Sequence, residues 1–119
     1  MIDPTTLPPI DRNEMRVLAA EEYRRIDEML RDLSFADWQR QTVCPDWDVQ
    51  DMVAHLLGAA EGNASFREMA SQSIRGARWA RAHRRPQIDG INAVQVADRD
   101  GLAPSELVEQ LAEVAPKAI

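Results

Sequence analysis

"TVCPDWDVQDMVAHLLGAAEGN", residues 42–63, is the stretch on which the fold turns. Pro45 closes whatever precedes it, and Asp48 with Asp51 three residues later gives an N-cap and an acidic N3 position. Trp47 and Met52 stand at the N′ and N4 spacing of a hydrophobic staple. Val49, Met52, Val53, Leu56, Ala60 and Phe66 then recur at helical spacing, which predicts a helix from Val49 into the low seventies. His55 lies beside that stripe, level with Ala59, Gly62 and Phe66, so small neighbours leave room for an ion, a water or a ligand. Neutral imidazole is the commonest metal ligand among side chains. A histidine at a helix boundary also serves purely structural ends, and spacing alone leaves both readings open. Asp51, one turn earlier, is placed either to orient the imidazole or only to cap.

On the N-terminal side, residues 1–11 carry Pro4, Pro8 and Pro9 and read as an irregular lead-in. The domain proper is expected over residues 12–119. Met15, Leu18, Ile26, Met29, Leu30 and Leu33 fall on one helical stripe between Arg12 and Leu33. Glu22 interrupts that stripe, as a carboxylate that reaches solvent or one turned toward a polar pocket. Ser34 is suited to cap a short turn before Pro45. On the C-terminal side, Arg75, Arg78, Arg81, Arg84 and Arg85 crowd one segment around Trp79. They read as a solvated face, a site for anions or substrate carboxylates, or a contact for nucleic acid. His83 in the same segment reads as solvated. Asp89 is placed to cap a short helix ending at Gly101. Pro104 suits the first turn of another, with Leu107, Val108, Leu111 and Val114 as its buried positions. No strand-like alternation interrupts the series, so the fold class is all-α, with antiparallel neighbours joined by loops.

Length and composition fit one soluble domain of 119 residues. No run approaches a membrane span. With 20 acids against 14 bases the net charge is −6, which argues against general nucleic-acid binding. The absence of a secretory signal and a single cysteine, Cys44, predict a cytoplasmic protein.

The residues around His55 also resemble a known family. The pattern T-x-C-x-x-W-x-V-x-D-x-x-x-H, met by Thr42, Cys44, Trp47, Val49, Asp51 and His55, is similar to the N-terminal metal-binding domain of the mycothiol-dependent maleylpyruvate isomerases, within the DinB-like helical bundles. Asp89 and Asn92 match the family's middle segment, and the likeness runs over roughly residues 14–115. It implies an up-down four-helix bundle, a divalent metal (usually zinc) and mycothiol as the thiol. It further implies an isomerase or transferase chemistry in which the ion lowers the thiol pKa and the thiolate adds to an electrophilic small-molecule substrate. The family's first metal ligand carries over to His55. The other two, from a Glu-x-x-x-His on the last helix, have no counterpart here, so the bundle is expected to stop short of that helix.

A bundle lacking a wall would leave an apolar groove lined by Leu56, Ala60, Ile26 and Leu107. Large exposed apolar patches rarely persist on monomers. A homodimer is the expected remedy, and a non-catalytic module that self-associates through the groove is the alternative to an enzyme. Cys44 reads as a small packed hydrophobe rather than a nucleophile. Trp38, Trp47 and Trp79 read as packing anchors.

Overall fold

The computed structural model describes residues 1–119, and every regular element in it is helical. After a 3₁₀ turn at Pro4–Thr6 come α1 (Arg12–Arg31), α2 (Phe35–Trp38), α3 (Val49–Ala64), α4 (Phe66–His83), α5 (Gln87–Ala97) and α6 (Pro104–Ala118). The order along the packing is α1 on α6, α6 on α3, and α3 on both α4 and α5, which also pack on each other. α3 is therefore the central helix. None of the six is long and apolar enough to cross a membrane.

Local chemistry explains the boundaries. α1 begins where the Asp11 carboxylate accepts from the Glu14 N–H. α2 is a single turn held by a capping box between Ser34 and Asp37. α3 starts with another: Asp48 Oδ1 accepts from the Asp51 N–H at 2.8 Å, and Asp51 Oδ2 accepts from the Asp48 N–H at 3.2 Å. The predicted start at Val49 is thus correct. The predicted end is not. The helix breaks at Ser65, whose extended backbone ends α3 and whose hydroxyl caps α4 by accepting from the Glu68 N–H. The segment read as one helix is two, and the arginine-rich stretch belongs to the second. Asp89 does not cap α5, which begins two residues earlier at Gln87; the carboxylate pairs instead with Arg85 at 3.0 Å.

The core gathers Leu30, Trp38, Val53, Ala54, Leu57, Ala60, Leu107, Val108 and Leu111, with Leu57 and Leu107 fully enclosed. This corrects the expected groove. Ala60 and Leu107 are buried, and Leu56 and Ile26 pack against the same cluster. α6, with Val114 also on its inner face, fills the space that four lined positions seemed to leave. On α1 an apolar flank stays uncovered: Met15, Leu18 and Met29 are each more than half exposed because this helix packs chiefly on α6. Glu22, between them, faces solvent.

Candidate functional site

The loop before α3 is stitched to itself. An isolated antiparallel bridge pairs Gln41 with Asp48, and the Thr42 N–H donates to the Trp47 carbonyl at 3.2 Å. The Thr42 hydroxyl donates to that same carbonyl at 2.8 Å and accepts from the Cys44 N–H at 3.1 Å. The Gln41 amide donates to the carbonyls of Cys44 at 2.7 Å and Trp47 at 2.9 Å. Carbonyls that would otherwise need water are satisfied within six residues, so the turn is held in one shape. It presents Cys44, Pro45, Asp46 and Trp47 to a cleft of about 440 Å³, whose opposite wall is Trp79 of α4 with Arg85, Asp89, Asn92 and Ala93. Of the residues that carry the resemblance, Cys44, Trp47, Asp89 and Asn92 meet here.

Trp47 links this cleft to His55. Its ring lies against the imidazole with centroids 5.0 Å apart and planes tilted by 31°. His55 is half-buried on α3, and its Nδ1 is 2.7 Å from Oε1 of Gln95 on α5. No protein group hydrogen-bonds its Nε2. Asp51 does not orient the ring: its carboxylate accepts from the Asp48 N–H within the cap, and the His55 Nδ1 partner is Gln95. Burial raises the Asp51 carboxyl above the usual carboxylate range, and the nearby Asp48 and Asp100 charges add to the rise. Gln95 was not legible as a site residue. A lone amide on a short helix reads as solvent-facing, and only packing of α5 onto α3 brings it to His55.

The arginines divide. Arg75 pairs with Asp98 at 2.7 Å and is held charged chiefly by that hydrogen bond, while Arg85 pairs with Asp89 beside the cleft. Arg78, Arg81 and Arg84 are exposed. Arg99, missed in the sequence reading, is nearly buried and pairs with Glu61 of α3, tying the end of α5 to the central helix. His83 stacks on Trp79 at 3.9 Å, with its Nδ1 on the Trp79 carbonyl. A larger cleft, between Leu30, Phe35, Trp38 and Val108, contains neither the motif residues from Thr42 to His55 nor Asp89 and Asn92.

The model of the mycothiol maleylpyruvate isomerase N-terminal domain matches residues 19–119. The chain belongs to that family. No curated protein and no solved structure matches it. The mycothiol maleylpyruvate isomerase assignment rests on nearly the whole of the helical domain and covers both the His55 segment and the cleft residues. The donor set has one evident gap. Three ligands from His, Cys, Asp or Glu are the ordinary requirement for catalytic zinc, and no group of three such side chains is placed to hold a metal ion. The residues present do not fit a complete metal centre.

Proposed function

We propose that this domain serves a mycothiol-dependent isomerase or transferase, with His55 as the single metal ligand that these 119 residues supply. The observation that carries the reading is the imidazole itself: one nitrogen engaged by Gln95, the other free, beside a cleft built from the family's own residues. The cleft suits a small polar molecule with an apolar face. Asn92 and Asp46 offer hydrogen bonds, Arg85 a charge, and Trp47 and Trp79 flat apolar surface. In this reading it receives the thiol or its electrophilic partner, and the remaining metal ligands lie outside these residues. Zinc titration against a chromophoric chelator tests it. The 119-residue chain should compete weakly or not at all, and His55→Ala should change nothing. Tight one-to-one binding abolished by His55→Ala would overturn the reading by placing all the ligands inside this chain.

The exposed flank of α1 favours a second reading, a module that pairs with its own copy. Met15, Leu18 and Met29, spaced for one helical face, are 60%, 57% and 56% exposed. Closed two-fold pairing is the commonest assembly of identical chains, and a stable interface buries about 800 Å² per partner. Light scattering at micromolar concentration should give a mass near twice 13.4 kDa. Leu18→Glu should return it to the monomer value. A cooperative monomer in the unsubstituted chain would sink this reading.

A further inference from the structure

Two glutamines, Gln72 of α4 and Gln95 of α5, are each only 4% exposed. Side chains of this type are mostly on surfaces, and a buried amide is costly unless its hydrogen bonds are made. Here they form a chain across three helices. Gln72 Nε2 donates to the Gly58 carbonyl at 2.8 Å, Gln95 Nε2 donates to Gln72 Oε1 at 2.8 Å, and Gln95 Oε1 faces His55 Nδ1 at 2.7 Å. Two glycines of α3 make the room. A Cβ on Gly58 would sit 2.7 Å from the Gln95 Cβ, and one on Gly62 would sit 3.1 Å from Gln72 Oε1.

The chain has a direction because one end is a backbone carbonyl, which can only accept. Gln72 must turn its NH₂ toward Gly58, so its oxygen faces Gln95. That oxygen also only accepts, so Gln95 must present its own NH₂ there and its oxygen to His55. An amide oxygen cannot donate, and His55 Nδ1 must therefore carry the proton. We propose that Gln72 and Gln95 are positioning residues that lock neutral His55 as the Nδ1–H tautomer and keep the Nε2 lone pair open to a ligand. Metal-ligating histidines commonly have the second nitrogen fixed in this way; here the fixing group is a two-amide relay. The proposal deepens the reading of His55 as a ligand, but the tautomer is measurable with no metal present, so the two fail separately.

The test is long-range proton–nitrogen correlation NMR on the ¹⁵N-labelled 119-residue protein at about pH 8, above the ordinary histidine range. A His55→Gln sample separates the His55 signals from those of His83. The expected spectrum has Nδ1 at a protonated shift and Nε2 at an unprotonated one. Gln72→Met removes the far link without touching His55; Gln95 is then free to turn, and the two nitrogens should move toward averaged values. Gln72→Glu still accepts from the Gln95 NH₂, so it should keep the wild-type pattern even though stability falls. That contrast separates relay from filler, since a merely structural Gln72 would leave the tautomer alike in both variants. Helical circular dichroism checks that each variant is folded. An Nε2–H tautomer in the unsubstituted protein, or a Gln72→Met spectrum unchanged from it, would overturn the proposal; the first outcome needs neither Gln72 variant to fold.

Discussion

Gly90→Ala should destabilise the domain by about 3 kcal/mol, at the upper end of ordinary overpacking. In most helix interiors the sign is opposite, since alanine is favoured over glycine by roughly 0.5–1 kcal/mol. Here α4 and α5 cross glycine on glycine. A Cβ at Gly90 would lie 2.7 Å from the carbonyl carbon of Gly76 and 3.1 Å from its Cα, and one at Gly76 would lie 2.7 Å from the Ile91 nitrogen. These neighbours are backbone, so no side chain can swing aside and the helices must part. α5 carries Asp89, Asn92 and Gln95, so parting the helices would also open the cleft and the relay. Urea denaturation followed by circular dichroism should show the midpoint falling with the slope unchanged. A midpoint at or above the unsubstituted value would mean that the helices do not meet this closely.

How far the sequence could carry depended on the range of each interaction. The start of α3 was legible because a capping box is complete within four residues, Asp48 to Asp51. The break at Ser65 carries the same kind of signal, a serine with glutamate three residues on, but Phe66 extends the apolar spacing across it and masks the cap. Phe66 is exposed, so the apolar pattern ended where the cap began. On α1 the stripe was read correctly as helical but only its Leu30 side is buried; one helix's pattern cannot say which neighbour will cover it. His55 was legible as a candidate from its small surroundings. Its partner was not. Asp51 stands one turn away in sequence, whereas Gln95 stands 40 residues away and arrives through the packing that Gly58 permits. An amide relay leaves no local motif, because each link joins a different helix.

The three tryptophans, read alike as packing anchors, should separate on substitution. Trp38→Ala is expected to cost about 3–5 kcal/mol, the range for deleting a buried aromatic side chain. Trp38 is 4% exposed and joins the cluster of Leu30, Leu57, Leu107 and Leu111, although it stands on a helix of only four residues. So short a helix has little stability of its own. The indole is then the principal tie holding α2 to the core, and its loss leaves a cavity that only rearrangement of the connection can fill. Trp47 and Trp79 are half-buried and line the cleft, with one wall of each already facing open space. Truncating either removes less buried area and leaves no closed void, so each should cost less than Trp38→Ala. Their larger effect should be on the site: Trp47 lies against His55, and Trp79 stacks on His83. Parallel denaturation of the three alanine variants makes the comparison. If Trp47→Ala or Trp79→Ala proved as costly as Trp38→Ala, that side chain would be a core anchor, and its assignment to a ligand-facing wall would be wrong.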